Sequence, residues 1–204
     1  SLVFVTAEQV SKHLVAVGSV APMEGVKVHS VSNEAELLLK FQALVRVQDP
    51  DWMVVYNGVN FDDRFLATRA EILKVKPFFY LSRLAFRECK LQDLSLSSSG
   101  MGDNQFKYLD AIGRINLDPY VKFTMEETQE VSWSLSSMSR KFIPGQDKED
   151  MDYREIPILQ AGTAEDRRRL GSYCVHDSFL MHLLDKARNI LVNVIQFAQV
   201  FGVP

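Results

Sequence analysis

Two acidic side chains stand where a carboxylate could take part in binding or chemistry rather than only solvate a surface. The first closes the segment Tyr56-Asn57-Gly58-Val59-Asn60-Phe61-Asp62, which grows out of the apolar run Trp52 to Tyr56. A short continuous apolar run marks a strand covered on both faces. A carboxylate just past the carboxyl end of such a strand faces the crevice where open α/β sheets bind ligands. The second is Asp177, four residues after Tyr173 in Tyr173-Cys174-Val175-His176-Asp177. That spacing puts a phenol and a carboxylate on one helical face among apolar neighbours. Each also has a plain alternative. Asp62 alone reads equally as a helix N-cap, and Tyr173 with Asp177 as a buried tyrosine beside a solvated aspartate. His176 is given no role.

The elements that must position these groups follow from periodicity and turn chemistry. Leu2 to Thr6, Lys12 to Gly18 and Gly25 to Val31 read as strands, with Val10 to His13 as a turn between the first two. Asn33 followed by Glu36 has capping-box spacing, and Leu37, Leu38, Phe41, Leu44 and Val45 recur at helical period, so a helix is predicted from Glu34 to Val47. Asp49-Pro50-Asp51 stops it before the apolar run. A second helix carries Phe65, Leu66, Arg69, Ile72 and Leu73 and ends before Pro77. The Ser- and Gly-rich stretch Gln92 to Asn104 reads as a flexible excursion. Phe106 to Leu117 is strand-like, Trp133 to Phe142 helical, Gln146 to Asp152 a loop or helix start, and Asp166 to Phe201 one long amphipathic helix or two. Strand, helix and buried strand in series predict an α/β layer fold without internal repeats.

Composition narrows the class. The 204 residues suit one domain, with 47% hydrophobic and 24% charged residues. No apolar run approaches the roughly 20 residues of a membrane span, and the start lacks the pattern of a secretory signal, so an intracellular protein is expected. Cys89 and Cys174 are too few for a disulfide framework or a four-ligand zinc site and read as reduced thiols. A net charge of -3 argues against holding long duplexes by bulk electrostatics. It leaves open a site that takes a few nucleotides of single strand through metals and short polar contacts.

Tyr-Asn-x-x-Asn-Phe-Asp followed much later by Tyr-x-x-x-Asp resembles the second and third exonuclease motifs of family B DNA polymerases, above all the eukaryotic delta type and those of large DNA viruses. Val20 to Val28, Asp49-Pro-Asp-Trp52, Gly113 to Asp118, Lys148-Glu-Asp150 and Arg167-Arg-Arg-Leu170 follow the delta-type pattern in order. Asp152 to Pro157 is similar to the herpesvirus enzymes, and Phe197 to Pro204 to the segment leaving the exonuclease toward the palm. The resemblance implies residues 1–204 as one partial 3'-5' exonuclease domain of ribonuclease H-like fold, a central mixed sheet flanked by helices. It implies hydrolysis of 3'-terminal nucleotides by two magnesium ions, with Asp62 and Asp177 as metal ligands and Tyr173 orienting the attacking water. Lys148 would support the cleaved phosphate; Asn57, Phe61, Ser134 and Leu135 would hold the single strand. Expected partners are the DNA primer end, the remaining polymerase domains and replication accessory subunits or a processivity factor, in the nucleus, or the host nucleus for a virus.

One departure qualifies the expectation. The family's first motif, Asp-x-Glu, does not occur before Asp62, and Phe4 to Glu8 matches it poorly. Ser1 is therefore read as lying inside the second strand, with the first strand upstream, and these residues alone are expected to be inactive. The alternative is a non-catalytic exonuclease-like module with a structural or partner-binding role.

Overall fold

The computed structural model describes every residue except 85, 99–101, 128, 147–150 and 204. In chain order the elements are β1 (Leu2–Val5), β2 (Val10–Val17), β3 (Val26–Val31), α1 (Glu34–Gln48), β4 (Trp52–Val54), α2 (Asp62–Ile72), a 3-10 turn (Lys76–Phe79), β5 (Leu91–Ser98), β6 (Gly102–Leu109), β7 (Ile115–Leu117), α3 (Pro119–Glu126), α4 (Leu135–Phe142), α5 (Glu155–Ala161), α6 (Ala164–Arg188) and α7 (Ile190–Phe201).

The chain is α/β, but the single central sheet expected from the resemblance is not what the described residues form. β1, β2 and β3 make one mixed sheet, antiparallel then parallel, while β4 pairs in parallel with β7 and β5 pairs antiparallel with β6. β4 is three residues long and half-buried, not the longer strand covered on both faces that its apolar run suggested. Its only ladder among the described residues is with β7, so no strand links it to the first sheet.

Two further expectations are corrected. Val10 to His13 is strand, not turn: Val5 pairs with Val10, and the reversal is made earlier by Thr6. The Thr6 hydroxyl accepts from the backbone of Glu8 at 3.3 Å and Gln9 at 3.2 Å. The Ser- and Gly-rich stretch from Gln92 is most of a hairpin, with Leu91 opposite Leu109 and Ser98 opposite Gly102. Beside the apolar pairs Leu91–Leu109 and Leu94–Phe106 it has polar ones, Ser97 donating to Asp103 at 2.6 Å and Lys107 bridging Asp93 at 2.7 Å. Cross-strand pairing outweighs the weak strand propensity of serine here.

The helices follow local sequence closely. Asn33 caps α1 by accepting from Glu36 N at 2.9 Å, while the Glu36 carboxylate reaches Ser32 N, one residue before the cap. Asp49 ends α1 in the left-handed region. Thr163 and Asp166 form a full capping box on α6. Asn189, at φ 50 and ψ 43, both closes α6 and opens α7, so the predicted long helix is two. One hydrophobic cluster joins α1, α2 and the inner end of β6 around Leu38, Phe78 and Leu81. A second gathers Phe123, Met138, Met181, Leu184 and Ile190 with Tyr56, Leu117, Trp133, Leu135, Phe142 and Ile143.

Buried Arg114 ties the Asp49-Pro-Asp segment to the Gly113-Arg114 turn. It donates to Leu81 O at 2.8 Å and Pro50 O at 2.6 Å and pairs with Asp49 at 2.9 Å, fixing the entry of β4 against the entry of β7.

Candidate functional site

β4 ends in a tight reversal that hands the chain to α2. The ladder runs one bond past the strand, Val55 N to Leu117 O at 3.2 Å, and Asn57 then takes a left-handed φ of 60. Gly58 is required by space, since a Cβ there would lie 2.6 Å from Val55 Cγ1. Asn60 N bonds Asn57 O, while Phe61 N and Asp63 N both bond Gly58 O, winding the segment into the helix. Asp62 is the first helical residue; the N-cap is Phe61, whose side chain caps nothing, so Asp62 is not the N-cap.

Asp118, the N-cap of α3, clamps this reversal. Its carboxylate accepts from Asn57 N at 2.8 Å, Val59 N at 3.3 Å and Tyr120 N at 3.0 Å. Asp63 faces inward and accepts from Leu109 N at 3.1 Å, tying α2 to β6. Burial pushes the carboxyls of Asp62, Asp63 and Asp118 above their ordinary range, Asp63 to about 6. Asp118 adds to the upward push on both Asp62 and Asp63. Burial and mutual repulsion favour the protonated form of such carboxyls.

α6 docks on the first sheet. Gly171 lets it approach, for a Cβ there would meet Leu14 Cδ2 at 2.4 Å, and Lys12 Nζ lies 3.8 Å over the Phe179 ring. Tyr173 and Asp177 are half-buried on this helix, with the Asp177 Oδ1 atom buried. One turn on, Met181 and Leu184 enter the cluster that also holds Tyr56, whose hydroxyl donates to Trp133 O at 2.5 Å. The Ser1 hydroxyl donates to Cys174 O at 2.7 Å and lies 2.5 Å from Ser178 Oγ, against the Tyr173–Asp177 turn.

The profile of DNA polymerase family B, exonuclease domain, matches residues 3–138. The chain belongs to that family. DNA polymerase delta catalytic subunit of Caenorhabditis elegans is 36% identical over 199 residues, 97% of this chain and 18% of the relative. The corresponding subunit of Bos taurus is 35% identical over 184 residues, 90% of this chain and 16% of the relative, and that of Dictyostelium discoideum 36% over 97% and 18%. The profile match ends inside α4, whereas the alignment with the Caenorhabditis elegans protein extends through α6. The chain spans less than a fifth of the length of these delta-type subunits.

Within this family B exonuclease domain the residues singled out from sequence fall into three groups. Asp62 opens α2, while Tyr173 and Asp177 are half-buried one turn apart on α6, and the cluster that holds Tyr56 and Met181 joins the two elements. Asn57 and Phe61 lie in the reversal itself: Asn57 Oδ1 accepts from Asn60 Nδ2 at 2.7 Å, and Phe61 is 63% exposed. Ser134 caps α4, accepting from Ser137 N at 3.2 Å, and Leu135 packs against the second cluster. Lys148 lies outside the described residues. Sequence reading missed the clamp of Asp118 and the anchor of Asp63. The signal for the first was present: Asp-Pro is an N-cap followed by proline at the first helical position.

For a divalent cation, Asp62 and Asp177 are suited in kind, being hard oxygen donors held half out of water. Among the described residues no three of His, Cys, Asp and Glu gather into a site, so these two carboxylates are what the described residues offer.

Proposed function

We propose that residues 1–204 form the 3'-5' proofreading exonuclease domain of a DNA-directed DNA polymerase, of ribonuclease H-like architecture, leading at α7 into the remaining polymerase domains. The observation that carries this reading is the shared hydrophobic cluster, in which Tyr56, at the head of the reversal that leads to Asp62, packs against the group holding Met181, one turn past Asp177 on α6. The substrate is the single-stranded 3' end of a primer, and the polymerase works in the nucleus, or a host nucleus, with accessory subunits or a processivity factor. Among the described residues no helix is long and apolar enough to cross a membrane.

Bound magnesium ions would supply charge to activate water and to stabilise the leaving 3'-oxygen. Asp62 and Asp177 would hold them, the former with its carboxyl raised above its ordinary range by burial. The Tyr173 hydroxyl, one turn before Asp177, hydrogen-bonds the attacking water and sets its line of approach. Asn57 offers its Nδ2 to the strand, Phe61 its exposed ring to a sugar or base, and Ser134 and Leu135 a further contact at the start of α4. Lys148 supports the scissile phosphate electrostatically.

The test is magnesium-dependent release of 3'-terminal mononucleotides from a single-stranded oligonucleotide. The intact polymerase should be active, and its Asp62→Ala and Asp177→Ala variants should lose at least a hundredfold. The 204-residue chain alone, which has no Asp-x-Glu before Asp62, should be inactive. Full activity of either variant overturns the site. An intact polymerase that releases no nucleotide favours the non-catalytic exonuclease-like module.

A further inference from the structure

The outer face of α2 carries an apolar surface that the fold does not use. Phe61 and Phe65 stack with centroids 5.9 Å apart and planes within 6°. They are 63% and 51% exposed, so each ring keeps an open flank. At that separation parallel rings are offset rather than face to face. Arg64 and Thr68 are exposed on the same stretch, and Arg64 makes no ion pair among the described residues. Asp62 and Asp63, by contrast, are half-buried, so this outer face presents rings and a cation rather than the carboxylates.

We infer that Phe65, with Arg64 beside it, extends the strand contact of Phe61 into a two-ring platform on which successive bases of the single-stranded 3' end stack. This rests on the exonuclease reading of the same site. The inference from the rings to nucleic acid is one of shape and charge. A base needs a flat open π-face, which near-parallel rings provide side by side, and a cation next to them meets the phosphate that links two bases. An i,i+4 aromatic pair also steadies the first turn of α2, but by only a few tenths of a kcal/mol, and that role does not require either ring to remain open to water. Phe65 is a positioning residue: it holds the strand upstream of the reacting phosphate and takes no part in hydrolysis.

The experiment measures equilibrium binding by the full chain of a short oligo(dT) blocked at its 3' end by phosphorothioate linkages, alongside the same strand made abasic near that end. Phe65→Ala should weaken binding of the base-bearing strand about five- to a hundredfold, the range for one stacked base, and leave the abasic strand unchanged. Phe65→Leu, which keeps an apolar side chain without a ring, should behave like the alanine variant. Phe65→Trp should restore binding, with its fluorescence quenched by oligo(dT). Arg64→Ala should weaken both strands and reduce the salt slope by about one. Binding by Phe65→Ala within twofold of the parent overturns the proposal, as does full rescue by leucine or equal losses on both strands, the pattern of a general structural effect or of a surface made for protein. If Phe61→Ala weakens binding and Phe65→Ala does not, the second ring is refuted while the exonuclease reading stands. If the parent binds neither strand, both fall.

Discussion

Replacing Asp118 by alanine removes a single carboxylate and strips three backbone donors, those of Asn57, Val59 and Tyr120, at 2.8, 3.3 and 3.0 Å. Loss of the N-cap on α3 costs about 1 kcal/mol. The two donors in the reversal sit at half-buried residues, where water can partly replace the acceptor, so each costs about 1 kcal/mol, the low end for a deprived buried group. The sum is about 3 kcal/mol, equivalent to roughly 6–12 °C in Tm for a chain of this size. Asparagine keeps one acceptor oxygen and sheds a charge that burial already disfavours, since the Asp118 carboxyl is raised above its ordinary range. Asp118→Asn should therefore cost less than about 1 kcal/mol. Urea denaturation followed by circular dichroism, with an unchanged m-value, measures both. A loss below about 0.5 kcal/mol for alanine, or equal losses for the two variants, would refute the clamp.

Three further outcomes are expected. Gly171→Ala gains about 1 kcal/mol of helix propensity, but its Cβ meets Leu14 at 2.4 Å, and overpacking of about 1–3 kcal/mol should win; a raised Tm would show that α6 can shift freely. Gly58→Ala places a Cβ 2.6 Å from Val55 Cγ1 and should lower both Tm and nuclease activity of the intact polymerase, because the reversal carrying Asp62 must open; unchanged activity would count against the rigidity of that turn. His13 and His29, 3.1 Å apart between ring nitrogens, have pKa values lowered by burial and by Lys27 and Lys40. A base with a depressed folded pKa binds fewer protons folded than unfolded, so stability should be intact above the unfolded value of about 6.5 and fall as pH drops below it. His13→Gln should flatten that fall in a thermal melt series, and an unchanged slope would exclude the pair.

The family was legible because the motifs Tyr56 to Asp62 and Tyr173 to Asp177 lie in residue type and order, and the family match and the delta-type relatives bear that reading out. The ends of α1 were legible for the same reason, Asn33 and Asp49 acting through local hydrogen bonds that sequence spells out, whereas the capping box at Thr163 was missed and α6 was read as starting at Asp166. The hairpin at Gln92 was not legible, because serine and glycine are poor strand formers and only the partner strand explains their pairing. The extent of the sheets was not either, since Trp52 to Tyr56 looks like a buried strand whichever neighbours cover it. Asp118 was hidden by distance: 61 residues separate it from the Asn57 it holds.

Asn189 sets a lever. A single residue in the left-handed region ends α6 and begins α7, so one pair of dihedral angles fixes the direction of everything beyond it. At about 1.5 Å per residue, the stacked rings of Phe197 and Phe201 ride on an arm roughly 12–18 Å from that fulcrum. A turn of about 30° at the joint would therefore carry the far end through roughly 9 Å by arc length, while Asp177, on the near side, stays where the sheet and the second cluster hold it. Asparagine tolerates this conformation better than most residues, and a side chain such as alanine costs about 1–2 kcal/mol there. Such a change biases the two helices toward one straight rod and redirects the exposed apolar end of the chain without touching the carboxylates.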